Sequence, residues 1–564
     1  IILMILINLC TDENNKVDKN MINNINKFKK YVKNEKNIKS CENYKKTLHE
    51  YEYDLPEDLK RIFSNIKNNK KMLDKINELY PNHDIINANR MNELYVSCVS
   101  STGSDKVFVT KHVDGPYYLF PGCNLLRVLF VIDGNKNVYT IFPEDNKEIS
   151  LEKCEMMGFD YNRDIHYIQK RNNVDDNTIR IVLKIHYVVV PKYMSFLSSL
   201  CKVCNERYNE VARDNFNKSK TPDSLTEKAI SLLINSTTKA YSLFLENVGW
   251  ENLFILLIWY KFMKNDLRGS SLYFCQIYFF IYYFAWIFRK VKLDHFIRDA
   301  IIFKNISWII ILKLYFDEKS DNTSLIISTL GLVIVYSAYL SLGKKVTFFQ
   351  KELTNKETKL VLDKFPYNLG IKSPMIVGNI IFLSGLLINN DFRRNSKNLI
   401  ILQISGYLVQ MFLEDNNIHL ENDYNKIKNE FSLYHKKNGN IRAHLITTII
   451  GFIALVGYLG NLSESPEILK CFILTIIHIL NRYTLSEHQL FLNNCILFLT
   501  YFVTKIKKFN YISILILSVI LQELSHYVYK EKTYISSYNE YSKLILHNIW
   551  LVPLVINSYF EIKP

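Results

Sequence analysis

Two histidines and an aspartate have residue types and a spacing suited to binding a metal ion. His112 and Asp114 stand two residues apart in Lys-His-Val-Asp-Gly-Pro, and His166 follows further along the chain. Residues i and i+2 of a strand point to the same face, so this imidazole and carboxylate can reach one ion. A histidine from a neighbouring strand would complete two imidazoles and one carboxylate, which leave open positions on Fe(II). The spacing therefore predicts an iron site, whereas a lone His-x-Asp pair is typical of a surface hairpin.

Two arginines are candidates for binding an anionic co-substrate beside this ion. Arg180 lies on a strand expected after His166, and a guanidinium can bind a carboxylate through two parallel hydrogen bonds. Arg127 is either a second contact to the co-substrate or a solvated strand residue. His186 lies an even number of residues after Arg180, so it can line the same strand face, although a core histidine with satisfied hydrogen bonds is the favoured interpretation.

The elements that position these side chains are predicted strands. Between about 94 and 192 the chain has short runs rich in Val, Ile, Tyr and Phe, separated by Gly, Pro, Asn and Asp. Asp133-Gly134-Asn135 predicts a hairpin turn between two of them. Because no long helix separates the runs, an antiparallel sandwich or barrel is expected. The clearest predicted strands are 107–113, 125–132, 138–142, 165–168 and 179–190.

This stretch resembles the 2-oxoglutarate and Fe(II)-dependent oxygenases, and within them the aspartyl/asparaginyl β-hydroxylase-like group. The resemblance covers roughly 95–192 and rests on His112-Val-Asp114-Gly-Pro, Asn124-Leu-Leu-Arg127-Val-Leu, Phe159-Asp160 leading to His166, and Arg180-Ile-Val-Leu. It implies a double-stranded β-helix (jelly roll) in which His112, Asp114 and His166 hold Fe(II). It further implies that Arg180, with Arg127 as a second candidate, binds 2-oxoglutarate, and that the activity is an O₂-dependent hydroxylation.

The second half of the chain has the pattern of membrane-embedded helices. Apolar blocks separated by loops with Lys, Arg, Asn and Asp begin near residue 252, and a spanning helix needs about 20 residues. So many blocks cannot all be core helices of a soluble domain, so an all-α polytopic membrane region is expected. The blocks lie near 252–263, 271–288, 300–315, 324–342, 374–388, 399–413, 441–460, 468–480, 490–504, 511–523 and 543–559.

A second set of histidines lies in this half. The segment 430–564 resembles the small endoplasmic-reticulum dioxygenases of fatty-acid α-oxidation, which act on 2-hydroxy fatty acids. The resemblance rests on Tyr434-His435, His444, His526 with Glu531, and Leu551-Val-Pro553. It implies histidine-bound iron, with His435, His444 and His526 as tentative ligands, because ionisable groups at membrane depth usually face a functional interior. The alternative is that these histidines lie on interfacial loops.

Composition and charge narrow the function classes. The chain has 564 residues, with 70 Lys and Arg against 55 Asp and Glu, for a net charge of +15. The basic residues are spread along the chain and do not form a tract interleaved with aromatics, so nucleic-acid binding is not expected. Ten cysteines are scattered, with a single Cys-x-x-Cys at Cys201 and Cys204, and predict neither a disulfide framework nor a zinc ribbon. The apolar run Ile1–Cys10 lacks an initiator Met, as expected of a truncated start or a signal remnant.

The expected organisation is therefore multidomain. A membrane-anchored, iron-dependent oxygenase acting on a lipid or membrane protein, in the endoplasmic reticulum or another endomembrane, is the leading hypothesis. The alternatives are 2-hydroxy fatty acid dioxygenase activity in the C-terminal part, a transporter or scaffold with an inactive β domain, and a lipid methyltransferase. The last rests on a faint resemblance of Phe365-Pro-Tyr-Asn-Leu-Gly370 and Pro374 to Gly378, with Glu414, to membrane methyltransferases. The expected parts are a helical N-terminal region (1–90), the β-helix domain (91–192), a helical linker (193–247), a multi-pass region (248–420) and a histidine-containing membrane domain (425–564).

Overall fold

Two compact units make up the chain. They are Ile1–Tyr241, called unit 1, and Ser242–Pro564, called unit 2. The structure is a computed structural model, and it describes residues 5–11, 18–39, 47–98, 113–115, 123–134, 137–143, 147–170, 179–220, 225–289, 291–317, 321–354, 363–389, 394–420, 424–506, 509–533 and 541–561.

Amphipathic helices form the start of unit 1, as the three-to-four spacing of apolar residues in 12–90 predicts. Among the described residues, the first five α-helices are α1 (Lys19–Lys30), α2 (Glu57–Lys67), α3 (Lys70–Leu79), α4 (Ser198–Lys220) and α5 (Leu225–Asn247). The carboxylate of Asp18 caps α1, and the side chain of Asn69 caps α3, by accepting hydrogen bonds from backbone N–H groups of the first turn. The apolar faces of α1, α2 and α3 are buried together with strand residues in one core.

The strands that the structure describes form two antiparallel sheets. The larger sheet has the order β1-β8-β5-β10-β4-β2, with β3 paired to the C-terminal end of β10, and the smaller has the order β7-β6-β9. The strands are β1 (Ile5–Asn8), β2 (Leu48–Tyr51), β3 (His83–Asn87), β4 (Glu93–Cys98), β5 (Asn124–Asp133), β6 (Val138–Phe142), β7 (Lys147–Ser150), β8 (Glu155–Asp160), β9 (Tyr167–Lys170) and β10 (Ile179–Pro191). The region 1–90, predicted to be helical, therefore also supplies β1, β2 and β3.

The central strand β10 is buried along its whole length and separates two environments. Its run of Ile and Val suits a strand covered on both faces. Alternate side chains point to opposite faces. Ile181, Leu183 and Ile185 join the core formed with the helices, whereas Arg180, Val182 and Lys184 line a cavity on the other side.

Three predicted strands, 125–132, 138–142 and 179–190, are confirmed by β5, β6 and β10. The structure starts β9 at Tyr167, two residues after the predicted start, and residues 107–112 of another predicted strand lie outside the described residues. The topology shows a sheet-containing unit followed by a helical one, and does not by itself establish the expected jelly roll.

The hairpin predicted at Asp133-Gly134-Asn135 is wrong. Strand β5 pairs with β8 and β10, while β6 pairs with β7 and β9, so this connection crosses from one sheet to the other. Gly134 has a φ of +73°, and a Cβ there would lie 1.9 Å from the carbonyl oxygen of Ile179. The glycine is therefore required by a close approach to β10, which local sequence does not distinguish from a hairpin turn.

A disulfide joins Cys10 to Cys154, although the cysteine spacing predicted no framework. The two residues are 144 positions apart, and both are buried. The Leu9 N–H also donates to the Cys154 carbonyl oxygen at 3.0 Å, so the bond fastens the edge strand β1 beside the turn that precedes β8. One disulfide between cysteines far apart in the chain leaves no spacing pattern, so it could not be predicted from the sequence.

In the described residues, unit 2 consists of helices. Its largest core cluster includes Trp259, Tyr282, Tyr315 and Trp550. The helices are α6 (Trp250–Asn265), α7 (Leu267–Phe274), α8 (Ile277–Phe288), α9 (Leu293–Phe316), α10 (Asn322–Leu342), α11 (Lys344–Thr347), α12 (Gln350–Thr354), α13 (Pro374–Ile388), α14 (Arg394–Asp415), α15 (Tyr424–Tyr434), α16 (Asn438–Asn461), α17 (Pro466–Arg482), α18 (Glu487–Ile506), α19 (Tyr511–Tyr529) and α20 (Tyr541–Glu561).

Five helical segments among the described residues are long and apolar enough to cross a membrane. They are fewer than the predicted apolar blocks, because other blocks form helices that are shorter, such as α13, or more charged, such as α9. A membrane location is compatible with this finding, and the multi-pass arrangement stays a prediction. The five segments are Leu267–Phe288, Asn322–Leu342, Asn438–Asn461, Gln489–Ile506 and Tyr511–Tyr529.

Replacing Cys10 with serine should destabilise unit 1 by about 2–5 kcal/mol, because the disulfide closes a long loop in the unfolded chain. Pulse proteolysis of the purified full chain in urea, with unit 1 peptides identified by mass spectrometry, measures this change. The matched control is Cys495→Ser, which removes an exposed free thiol and should leave the urea midpoint of unit 1 unchanged. Equal midpoints for Cys10→Ser and the parent protein would show that the bond does not stabilise the unit.

Candidate active site

Asp114 and His166 come together in unit 1. The Nε2 atom of His166 lies 3.5 Å from Oδ2 of Asp114, and both side chains are buried, with 7% and 10% of their surface exposed. The Gly115 N–H donates to the Tyr161 carbonyl oxygen at 2.9 Å, which ties the Asp114 segment to the turn after β8. An imidazole nitrogen and a carboxylate oxygen at this separation can bind one metal ion.

The ring of His166 is held in one orientation. Its Nδ1 lies 2.9 Å from the carbonyl oxygen of Asp164, to which Nδ1–H donates. The ring also packs against Phe159 and Phe142, with centroids 4.7 and 5.8 Å away. A hydrogen bond from one ring nitrogen to a carbonyl leaves the other nitrogen with its lone pair, as in metal-binding histidines. Nε2, which faces Asp114, is therefore the coordinating atom that this arrangement provides.

Arg127 links Asp114 to the sheet. Its Nη1 lies 2.5 Å from Asp114 Oδ2, and its Nε donates to Nε2 of His186 at 2.9 Å. The guanidinium also lies over the Tyr161 ring, 4.4 Å from the centroid. Arg127 and His186 are directly paired residues of β5 and β10. The arginine is buried and not solvated, and it compensates the charge of the carboxylate while holding it in place.

A cavity opens beside these residues. Its wall carries two buried cationic side chains on one face of β10, Arg180 and Lys184. The lining residues are Tyr95, Asp114, Arg127, Leu129, Thr140, Phe159, His166, Ile168, Arg180, Val182 and Lys184. The cavity thus combines the candidate metal ligands with a basic wall.

The charge of Lys184 is compensated within the protein. Its Nζ lies 3.1 Å from Glu93 Oε1 and 3.8 Å from the centroid of the Tyr95 ring. The other oxygen of Glu93 lies 3.1 Å from Nδ1 of His49. Lys184 therefore belongs to an internal network, and its position on the cavity wall is secondary to that pairing.

Arg180 differs from Lys184 because no described residue forms an ion pair or hydrogen bond with it. Only 4% of the residue is exposed, and its Nε is buried without a hydrogen-bond partner. Burial lowers the pKa of the guanidinium, and the nearby Tyr95 opposes this change. Arginine nevertheless stays charged in proteins, so a buried cation that has no counter-charge among the described residues favours an anionic ligand in the cavity.

The structure brings together Asp114, His166, Arg127 and Arg180 from the predicted site, while His112 lies outside the described residues. Lys184 and Thr140 also line the cavity and were not predicted. Lys184 lies an even number of residues after Arg180, so strand alternation could have predicted that both side chains line the same cavity. No sequence feature singled out Thr140, because its position depends on the packing of β6 against β9.

A second cluster lies in unit 2, where His435, His444 and His526 meet. The ligand atoms that these rings offer all lie within 4.8 Å of one another. His435 follows α15, His444 lies on α16 and His526 on α19, and each is at most 6% exposed. The three histidines are therefore buried together, with His435 in the loop between α15 and α16 and the other two on helices.

Two of these rings point an unpaired nitrogen into the structure. The Nδ1 of His435 lies 3.1 Å from the Phe431 carbonyl oxygen, and its Nε2 has no hydrogen-bond partner. The Nε2 of His444 is likewise buried without a partner. Burial lowers the pKa of His435 to about 4, so the ring is neutral at pH 7 and its lone pair is available to a metal.

Comparisons with known proteins give distant structural similarity. No family model matches the chain, and no curated protein matches it. A viral collagen prolyl hydroxylase from Paramecium Bursaria Chlorella virus-1 is 10% identical as a truncated form and 9% identical in complex with 2OG. Each match covers 33% of this chain, and they cover 90% and 96% of the viral chains, both with a TM-score of 0.22. A prolyl 4-hydroxylase from Phytophthora capsici is 11% identical, with 44% of this chain and 85% of that chain covered and a TM-score of 0.26. Scores this low do not establish the fold or activity of this chain, which rest on its own residues.

The two buried arginines should respond oppositely to replacement. Arg127→Met leaves Asp114 buried without its cation and should destabilise unit 1 by about 3–5 kcal/mol. Arg180→Met removes an uncompensated buried charge and should leave the ligand-free protein as stable or more stable. Pulse proteolysis of the full chain in urea, read on unit 1 peptides, compares them. A loss of stability in Arg180→Met similar to that in Arg127→Met would show that Arg180 has a structural partner.

Proposed function

We propose that unit 1 is a 2-oxoglutarate and Fe(II)-dependent oxygenase that hydroxylates a lipid or a protein. The observation that carries the proposal is the cavity shared by the Asp114–His166 pair and Arg180, a buried cation with no ion-pair partner among the described residues. A metal-binding pair and a buried anion-binding residue on one cavity wall suit a co-substrate that is bound at both ends. The same proposal includes a jelly roll, because side chains of the larger antiparallel sheet and of the smaller one line the same cavity.

The donor set of the site fits Fe(II). Two imidazoles and one carboxylate are the ligands of many non-haem iron oxygenases, and we assign these roles to His166, Asp114 and, from the sequence spacing, His112. Bound iron with 2-oxoglutarate supplies the oxidising power for hydroxylating an unactivated C–H bond. The chain supplies orientation: Arg127 directs Asp114, and the Asp164 carbonyl directs the ring of His166.

Arg180 is assigned to the far carboxylate of 2-oxoglutarate. A buried guanidinium whose Nε has no hydrogen-bond partner can form a bidentate pair with a carboxylate, and this pair strengthens when water is excluded. Arg127 already binds Asp114 and His186, so its direct contact to the co-substrate is the weaker part of the assignment. Buried aromatic and aliphatic side chains, including Phe159 and Val182, cover the rest of the cavity wall.

Succinate release from 2-oxoglutarate by the purified full chain, loaded with Fe(II) without oxygen and then exposed to air, tests this proposal. His166→Ala should abolish succinate formation because a metal ligand is lost. Arg180→Met should raise the KM for 2-oxoglutarate by about 10- to 100-fold, the range expected for a lost charge-assisted contact. The control Lys147→Met changes an exposed lysine of β7 and should leave both parameters unchanged. Succinate formation that is insensitive to His166→Ala would contradict the proposal.

The histidine cluster supports a second candidate function in unit 2, a histidine-bound iron centre that oxidises a 2-hydroxy fatty acid. The observation favouring it is that three separated segments bring buried imidazoles within ligand distance of one another. Helices α16 and α19, which carry two of the ligands, are also among those long and apolar enough to span a membrane. We therefore propose a lipid bilayer as partner, and the endoplasmic reticulum or another endomembrane as the location.

Iron content distinguishes the two sites. The His166→Ala protein should retain about one iron per chain in unit 2, and adding His444→Ala should remove it, as measured by metal analysis after anaerobic purification in detergent. Retention of iron in the double variant would exclude the unit 2 centre. A wild-type protein that binds no iron would exclude both centres and favour the transporter, scaffold or methyltransferase alternatives.

A further inference from the structure

His186 contacts Arg127, the residue that binds Asp114. The Nε atom of Arg127 donates to Nε2 of His186 at 2.9 Å, and its Nη1 lies 2.5 Å from Oδ2 of Asp114. An arginine side chain only donates hydrogen bonds, so Nε2 of His186 is the acceptor and the neutral ring carries its proton on Nδ1. One guanidinium therefore joins an imidazole of β10 to the carboxylate assigned to the metal.

The backbone of His186 is held where β10 changes its partner strand. Strand β10 pairs with β4 as far as Lys184 and with β3 from Tyr187 onwards. Between these two ladders, the His186 N–H donates to Oδ1 of Asn92 at 2.8 Å, and the His186 carbonyl oxygen accepts from the Ala88 N–H at 2.9 Å. His186 and Asn92 are both fully buried. The imidazole therefore projects from a backbone whose N–H and C=O groups are both bonded.

Tyr161 packs against both members of the contact. Its ring centroid lies 4.4 Å from the guanidinium carbon of Arg127 and 5.6 Å from the centroid of the His186 ring. A cation over an aromatic face and an edge-to-face pair of rings are both favourable arrangements. The Tyr161 hydroxyl donates to Oδ1 of Asn209 on α4 at 3.3 Å, and its carbonyl oxygen accepts from the Gly115 N–H. The guanidinium is thus enclosed by residues of the sheet and of the segment that carries the metal-binding carboxylate.

We propose that His186, acting through Arg127, is a positioning residue of the unit 1 metal site. This inference rests on the function proposed above for unit 1. An arginine side chain has several rotatable bonds, so its contact to Asp114 alone does not fix the plane of the guanidinium. The second contact, from Nε to His186, fixes that plane and directs Nη1 at the carboxylate.

The hydrogen bond from Arg127 is compatible with metal binding by Asp114. An ionised carboxylate has two oxygens with about four acceptor positions, so it can accept from a guanidinium and bind an ion at the same time. Residues that orient a metal ligand from behind typically change metal affinity by about 10- to 100-fold when they are replaced. His186 acts one residue further back, and its effect therefore passes through Arg127.

A histidine that only fills the core leads to different expectations. Its replacement lowers the stability of unit 1 but leaves unchanged the affinity of the folded protein for a metal. Metal affinity therefore separates the two roles of His186. Co(II) is a suitable probe, because its visible spectrum reports the number and arrangement of its ligands. A His444→Ala background removes a proposed ligand of the unit 2 centre, so that the titration reports on unit 1.

The experiment is a Co(II) titration of the full chain in detergent in this background, with the Fe(II) dependence of succinate formation measured on the same proteins. His186→Leu should bind Co(II) about 10- to 100-fold more weakly, with an altered visible spectrum. It should also need about 10- to 100-fold more Fe(II) for half-maximal succinate formation. The KM for 2-oxoglutarate at saturating Fe(II) should stay unchanged, because Arg180 is still present. Arg180→Met should show the reverse pattern.

Conservative variants separate the hydrogen bond from a general loss of structure. His186→Gln can place its amide oxygen near the position of Nε2 and accept from Arg127, so it should recover Co(II) binding. His186→Asn is one carbon shorter and should stay weak. This pair also decides the inference if His186→Leu does not fold. The matched control Ile185→Ala shortens a side chain of the core on the opposite face of β10. It should lower the urea midpoint of unit 1 in pulse proteolysis and leave Co(II) affinity unchanged.

Unchanged Co(II) affinity and spectrum in His186→Leu, or equal weakening in His186→Gln and His186→Asn, would overturn the inference. If the His444→Ala background binds no Co(II), the unit 1 metal site itself is wrong. If that background binds Co(II) but releases no succinate, the oxygenase function is wrong, and the Co(II) affinities alone then confirm or refute the role of His186.

Discussion

The ion pair between Arg127 and Asp114 is the interaction on which the candidate site of unit 1 depends. A buried carboxylate is costly unless a cation and hydrogen bonds accompany it, and Arg127 supplies both. The guanidinium is itself held by His186 and by the face of Tyr161. Arg127 therefore links the paired strands β5 and β10 to the Asp114 carboxylate.

The cost of burying a charge without a counter-charge also distinguishes the two cations on the cavity wall. Lys184 has Glu93 as its counter-charge, so it belongs to the fold. Arg180, four residues earlier on the same strand face, is buried with no described partner. An uncompensated charge of this kind lowers stability and is typical of positions kept for binding, because the missing partner arrives with the ligand. On this strand, Lys184 stabilises the fold through its ion pair, whereas Arg180 is the residue proposed to bind the co-substrate.

Unit 2 also contains buried polar groups that are paired beside others that are not. Asn440, Ser525 and Glu531 satisfy one another, whereas the buried Nε2 atoms of His435 and His444 have no hydrogen-bond partner. Imidazoles that face one another across a small space gain little from each other and much from a shared cation.

Several features were determined by the amino-acid sequence alone. The alternation of apolar residues predicted β5, β6 and β10, a helical region was expected where α1 and α2 lie, and the meeting of Asp114 with His166 was expected from residue type and strand geometry. The histidines of unit 2 were identified by resemblance, without any indication of which ring nitrogens are unpaired. These successes share a cause, since periodicity and residue chemistry are local properties that need no knowledge of distant neighbours.

What only the tertiary structure decided concerns pairs of residues far apart in the chain. The disulfide between Cys10 and Cys154, the crossing of the chain between sheets at Gly134, the difference between Arg180 and Lys184, and the reach of Glu531 to Asn440 depend on which segments pack together. A sequence records that a cation or a cysteine is present. Whether that group has a partner is settled by the fold, because burial and long-range contact are properties of the folded chain.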